Sequence, residues 1–593
     1  MTPVAFDGCF GWLHPAAGDC GVVMCGSIGF EKQIFHRSWS FLAQRLAAGG
    51  YPTLRFDYPG SGDSCGMDSD PGALEAWLGS IGQAIAWLRA NTGARRIVLC
   101  GIHLGGLLAA AAAARDGEVE RLVLLAPMLS GRSYARILAL STTSNAAPPA
   151  DGSEAGHVEA FGLRLHGTTL HALRRLDLSS LPTPPAQKLL VLSASNAAAT
   201  HGAVAALSAS GVEVTLLDMP DYLELTRPAH ESQVPVASFD RVLAWLAATG
   251  QNSADAPGQT ARLIPIAELS TPHAIERPLL LDRERGRLFG MFSQPRGPSG
   301  ACPAVLICNT GANPHYGFGR LAVALARGLA EDGVASLRLD LTGIGDSDGA
   351  STVSLPDLYA DRSGDLRAAA DFLQQRGYDH VVVFGICTGA FHSIRAGLGD
   401  PRVAGVVLVN QNVYRWRHNP VLLRAAVLLR MLRRRMRDES MVDAEQGVLR
   451  LKMAPPAPVT NRLRRSVWRA AVVAEHTVLR PLGLRTPLGF PTRAFRQLAS
   501  RGVRVLVVAG EDDYARSLLQ AQFGPSYAEL TGMGGIRVEI EAGFDHPVGR
   551  SGARNRLVGL VRQFVAEFAA TSAEQQNQDA PTLPAMQQAA LHG

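Results

Sequence analysis

The feature that most constrains the fold is that the chain is written twice. FLAQRLAAGGYPTLRFDYPGSGDS, starting at Phe41, aligns without a gap on ALARGLAEDGVASLRLDLTGIGDS, starting at Ala324. GVVMCGSIGF at Gly21 and AVLICNTGAN at Ala304 keep the same offset of 283 residues, and glycine-flanked motifs at Gly101 and Gly385 keep 284. A period this long exceeds any solenoid repeat, so the duplicated unit is a whole domain. The length agrees, because 593 residues are too many for one ordinary core.

Each copy alternates between strand and helix patterns. VLICNT, VASLRLDL, HVVVFG, VAGVVLVN and VRVLVVAG are short apolar runs, separated by stretches of helical spacing such as Arg320 to Asp332. Strands that are apolar throughout and joined by helices predict an α/β class, a mostly parallel sheet with helices on both faces. The expected organisation is a first domain at 1–249, a Pro- and Ser-containing linker at 250–275, a second domain at 276–569 and a disordered, Gln-rich tail at 570–593.

Composition narrows the setting. With 47% hydrophobic and 18% charged residues and a mean hydropathy of +0.07, the chain reads as soluble and globular. No stretch is long and apolar enough to span a bilayer. MTPVAFDGCFGWLHP lacks the pattern of a secretory signal. Eight cysteines without a C-x-x-C pair argue against a zinc site and a disulfide framework, so a reducing cytoplasm and no metal or other cofactor are expected. The richness in Ala, Arg, Gly and Pro suggests a GC-rich bacterial genome. A net charge of +5 is small for this length and does not by itself imply nucleic-acid binding.

HVVVFGICTGA, residues 380–390, runs from a strand into Gly385-Ile386-Cys387-Thr388-Gly389. RIVLCGIHLGGLLAA, residues 96–110, has the same frame with His103 at its centre. This is the layout of the G-x-S-x-G nucleophile elbow, with cysteine or histidine in serine's place. With that motif on a strand-to-helix turn, both copies resemble the α/β-hydrolase superfamily, over roughly 6–249 and 276–569. Within it, LRFDYPGSGDS and VLLAPMLSGRSYARILAL are similar to hydrolases found alongside exosortase systems, and NTGANPHYGFGRLAVALARGLA with LRLDLTGIGDSDG is similar to their sister group.

The resemblance implies the order nucleophile, acid, histidine. In the second copy these are Cys387, Asp513 from VRVLVVAGEDDYAR (Asp512 being less favoured) and His546 from IRVEIEAGFDHPVGR. The imidazole would take the thiol proton while the acid holds its tautomer, and the helix N-terminus would favour an anionic sulfur. An acyl oxyanion needs two N–H donors, expected from Thr388 and from Gly311 or Ala312. Alone, Cys387 reads equally as a small buried hydrophobe; the acid and histidine in the right order favour catalysis. His315 and His392 read as structural or wall-lining, and Asp63 and Asp346 as aspartates that tie down a turn. In the first copy, His103 stands at the nucleophile, Asn196 and Ala197 at the acid and Tyr222 at the histidine, with His230 eight residues on as a weak substitute. That copy is expected to be non-catalytic.

Between VAGVVLVN and VRVLVVAG lies an insert, about 412–496, where superfamily members carry a lid. It is crowded with arginine, and Arg430, Arg433, Arg434 and Arg437 share one arc of a helical wheel. Three readings fit: a solvated edge of a lid helix, a dock for an acyl-carrier protein or the phosphates of coenzyme A, or a peripheral membrane contact. No nucleic-acid motif accompanies the charge. The expectation is a thioesterase or acyltransferase working through an acyl-cysteine. A lactone or ester hydrolase, and a non-catalytic scaffold binding an acyl or hydrophobic ligand, are the alternatives.

Overall fold

The computed structural model describes residues 1–143, 156–194, 198–250, 252, 267–297, 302–349, 353–414, 442–443, 448–449 and 490–579. In the first copy, strands Thr2–Phe6, Cys9–His14, Thr53–Phe56, Cys20–Cys25, Arg96–Ile102, Arg121–Leu125, Lys188–Ser193 and Glu213–Asp218 lie side by side in that order. Cys9–His14 runs antiparallel to both neighbours, and the others pair in parallel. The second copy repeats this order with Ala274–Leu281, Leu288–Pro295, Ser336–Leu339, Ala304–Ile307, Val381–Ile386, Val403–Val409, Arg504–Gly510 and Ile536–Glu541, and adds Leu269–Ser270 at the edge. Both faces of each sheet are covered. Ile97 and Leu99 enter one core layer and Val98 and Cys100 the opposite one, as do Val381 and Val383 against Val382 and Phe384. This two-sided burial is why the strands read as continuous apolar runs instead of alternating ones.

Two boundaries differ from the expected ones. Leu269–Ser270 and the start of Ala274–Leu281 fall within the expected linker, yet they already pair in the second sheet, because Leu269 and Ala274 are buried apolar positions. The last helix, Ser551–Asp579, continues ten residues past 569, since ATSAEQQNQD contains no Gly or Pro to stop it. The remaining tail, Asn196 and Ala197, and most of the insert at 412–496 with its arginines lie outside the described residues. Among the described residues no helix is long and apolar enough to cross a membrane.

The two copies meet through equivalent surfaces. Gly11 pairs with Phe56 and Gly290 with Leu339, so Phe10 and Phe289, one residue earlier, are counterparts. They stack on one another with centroids 6.3 Å apart, and Trp12 meets Phe289 edge-on at 4.8 Å. Around this aromatic centre the ion pairs are reciprocal. Arg55 of the first copy pairs with Asp346 of the second, and Arg338 of the second pairs with Asp63 of the first at 2.7 Å. Arg55 and Arg338, like Asp63 and Asp346, are counterparts 283 apart, which is the pattern of an isologous dimer fused into one chain. His315 lies between Asp63 at 2.6 Å and Asp340 at 2.8 Å. Burial alone would depress its pKa, but the two carboxylates raise it to about 10. The carboxylates of Asp63 and Asp346 therefore serve the junction between copies, while their own turns are tied by Asp57 and Asp340, whose carboxylates accept the N–H groups of Asp63 and Asp346.

Candidate active site

The elbow strand Val381–Ile386 is buried along its whole length and runs into the helix Thr388–Gly399. Cys387, at the turn, has φ +53° and ψ −106°, a conformation that is sterically costly for a side-chain-bearing residue. The flanking glycines make the turn possible by close approach. A Cβ on Gly385 would lie 2.1 Å from the carbonyl carbon of Gly389, and one on Gly389 would lie 2.7 Å from the oxygen of Asn309. His103 adopts almost the same backbone, φ +50° and ψ −121°. Both copies have therefore kept the strained elbow.

In the second copy the predicted partners come together. Asp513 caps the helix Tyr514–Phe523, its Oδ1 accepting the Ala515 N–H at 2.8 Å, and its Oδ2 accepts from His546 Nδ1 at 2.8 Å. Asp512 is exposed and takes no part in this chain of bonds. The Cys387 thiol lies near enough to His546 to influence its charge. Burial opposes charging the imidazole, but the Asp513 carboxylate and the Cys387 sulfur outweigh it and raise the His546 pKa to about 10. Burial pushes the thiols of Cys25 and Cys308 up to about 12, which is the behaviour of a small buried hydrophobe. Cys387 differs from them in being partly exposed and in lying beside an imidazole.

The oxyanion donors divide. Gly311 N–H already donates to Thr388 Oγ1 at 2.7 Å. The N–H groups of Thr388 and Ala312 have no hydrogen-bond partner among the described residues. His392 is buried, its pKa lowered to about 4 by that burial, and its Nε2 donates to the Leu358 carbonyl at 2.9 Å. That bond steadies the backbone just before Tyr359, whose hydroxyl lies near the Cys387 sulfur and which the sequence does not single out.

Asn410 was also missed. It is fully buried at the end of Val403–Val409 with φ +44°, and its side chain accepts from Gly510 N–H at 2.9 Å. Its amide donates to the carbonyls of Asp545 and His546, each at 3.0 Å. One side chain thus fixes the strand end that leads to the acid and the loop that carries the histidine. Asparagine tolerates this left-handed backbone better than most residues, which is the signal the sequence offered. Its counterpart, Ala126, keeps φ +42° without a side chain to use. Asn410→Ala is expected to lower kcat about 10- to 100-fold by loosening the histidine, with a stability cost of about 1–3 kcal/mol for the polar groups left unpaired. Thermal melts beside steady-state kinetics separate the two, and unchanged kcat with a lowered Tm would make the residue merely structural.

The first copy's equivalent site is filled. His103 is completely buried, its Nδ1 3.3 Å from a Glu31 carboxylate oxygen, with Phe35 and Tyr222 packed on its ring at 4.8 and 5.6 Å. Burial would raise the Glu31 pKa, but His103 and the Ser27 hydroxyl hold it below the ordinary value. His230 is not part of this cluster; it pairs with Glu231 at 3.6 Å.

Family models match both copies. Residues 37–153 match the model for serine aminopeptidase, S33, and residues 305–548, which include Cys387, Asp513 and His546, match the alpha/beta hydrolase family. The chain is a tandem α/β-hydrolase protein. Similar solved structures include Est1E from Butyrivibrio proteoclasticus with ferulic acid bound, at 17% identity over 42% of this chain and 98% of that one, TM-score 0.32. A hypothetical protein from Pseudomonas aeruginosa matches at 17% identity over 50% and 95%, TM-score 0.32. An alpha-beta serine hydrolase homologue from Coxiella burnetii matches at 15% over 48% and 96%, TM-score 0.29. No curated protein sequence matches the chain. Both halves carry a hydrolase-type fold, and among the described residues the second sets a hydrogen-bonded carboxylate–imidazole pair beside the thiol at its elbow.

Proposed function

We propose that the second domain is an acyl-transfer enzyme, a thioesterase or acyltransferase, that works through an acyl-cysteine on Cys387. The observation that carries this reading is the hydrogen-bonded pair Asp513–His546 beside a thiol set on a strained elbow. His546 takes the thiol proton, and the sulfur adds to the acyl carbonyl. The oxyanion that forms lies toward the N–H groups of Thr388 and Ala312; Gly311 is the poorer second donor because its N–H is committed to the Thr388 hydroxyl. Collapse of the tetrahedral intermediate expels the leaving group, which takes the proton from the imidazolium. Water or another acceptor then attacks the thioester with His546 as base, and the thiol is regenerated. A thiol exchanges readily with thioesters, which favours them as substrates; lactones and simple esters would use the same groups. The test is an activated acyl thioester followed by peptide mass spectrometry: acylation confined to Cys387 supports the reading, and an unmodified Cys387 refutes it.

We further propose that the arginines of the insert dock an acidic acyl-carrier protein or the phosphates of coenzyme A. Replacing Arg433, Arg434 and Arg435 with glutamate is expected to weaken turnover of carrier-bound acyl groups and to leave a small soluble thioester unaffected. The loss should shrink with salt, because surface attraction is screened over about 10 Å at 0.1 M ionic strength. Loss of binding to anionic vesicles, with carrier-bound turnover intact, would favour a membrane contact instead.

A further inference from the structure

The first copy reaches across the junction to the loop that carries His546. Its hairpin, His157–Ala160 paired with Leu163–His166, turns at Phe161 and Gly162, both with positive φ, as a tight two-residue turn requires. The tip lies against the second copy. Arg554, largely buried, donates through one Nη1 to the Gly162 carbonyl at 2.9 Å and to the Gly549 carbonyl at 2.7 Å. Gly549 is three residues beyond His546, and its own N–H donates to Asp545 Oδ1 at 2.7 Å. Glu159 of the same hairpin accepts from the Ser551 N–H and from the Ser551 hydroxyl, the latter at 3.2 Å, at the start of the final helix. Phe161 and Phe318 flank Phe30 with centroids 6.3 and 5.7 Å from it, closing the joint with apolar rings from both copies.

The loop 545–549 is thus held from two sides. Asn410 grips the carbonyls of Asp545 and His546 from within the second copy, and Arg554 ties Gly549 to the first copy's hairpin. We infer that the hairpin of the first copy is a positioning element for His546, with Glu159 and the Gly162 carbonyl acting through Ser551, Arg554 and Gly549. This rests on reading His546 as the base for Cys387. It assigns the non-catalytic copy a task in the other copy's chemistry that a bracing role alone would not.

The experiment uses the full chain and two independent readouts. Glu159→Ala and Arg554→Ala are each expected to lower kcat on an activated thioester about 10- to 100-fold with little change in KM, since small misplacements of a catalytic group have effects of that size. Alkylation of Cys387 by iodoacetamide should slow about tenfold near pH 6.5, where His546 assists, and converge on wild type at high pH, where thiols ionise unaided. Glu159→Gln should restore most of the rate, because its amide oxygen can still accept the Ser551 N–H; Arg554→Lys should not, because one ammonium cannot reproduce the guanidinium's fixed geometry. If Arg554→Ala does not fold, the Glu159 pair decides, since that side chain is partly exposed. Alkylation profiles that stay wild-type in both alanine variants, while His546→Ala changes them, overturn the proposal. A profile that ignores His546→Ala overturns it too. If the profile responds to the hairpin but wild-type protein turns over no thioester, the positioning role stands and the acyl-transfer reading falls.

Discussion

Cys387→Ala is expected to lower thioester turnover by about 10⁴-fold or more, the scale seen when a triad nucleophile is removed. The fold should survive, because the strained turn is held by the flanking glycines and by the bond from Cys387 N–H to the Val409 carbonyl, none of which uses the sulfur. Cys387→Ser should recover little, since a hydroxyl depends far more than a thiol on being activated by its base. Asp513→Asn should also be severe, about 10⁴-fold by comparison with other triads, because an amide in place of the carboxylate favours the wrong imidazole tautomer. His103→Ala, in the first copy, should leave turnover within a few-fold of wild type. Steady-state kinetics on one activated thioester measures all four. Full activity in Cys387→Ala would remove the nucleophile assignment, and with it the acyl-cysteine.

The duplication, the parallel sheets and the three partners at the second elbow were legible because each leaves a local signature. Period and apolar runs report burial on both sheet faces, and the elbow's glycines report a close approach that no larger residue permits. Asn410 was not legible in the same way. Its role depends on two segments, around Gly510 and His546, that lie about a hundred residues or more away in sequence, and a lone asparagine after a strand looks like any turn residue. Tyr359 was hidden for the same reason, since nothing near it in sequence points to a thiol. Asp63 and Asp346 lie in turns, but their carboxylates do not tie those turns down; Asp57 and Asp340 do. Each meets an arginine of the opposite copy instead, and a pairing between duplicated domains cannot be deduced from one copy's motif.

Those reciprocal pairs set the expectation for separating the copies. Deleting residues 1–249 would uncover Phe289 and Met291, which form an apolar cluster with Phe10 and Trp12. It would also strand Arg338, wholly buried between Asp63 at 2.7 Å and Glu276 at 2.9 Å, and His315, which faces Asp63 and Asp340. The second copy alone is therefore expected to aggregate. Within the intact chain, Arg338→Ala should cost about 3–5 kcal/mol, because removing one partner leaves buried carboxylates uncompensated. The junction should depend on pH as well. The His315 pKa is raised to about 10 in the folded chain, so its stabilisation is complete below its unfolded value near 6.5 and is lost as pH rises toward 10. His315, Arg338 and Arg327 hold Asp63 below its ordinary value despite its burial, so that share is present above about pH 4 and lost as pH falls below it. Melting curves of wild type and His315→Gln should thus differ most between about pH 4.5 and 6.5 and converge by about pH 10. A constant gap across that range would mean that His315 is not held as a cation, and a soluble, fully active fragment 250–593 would mean that the second copy needs neither the charges nor the rings of the first.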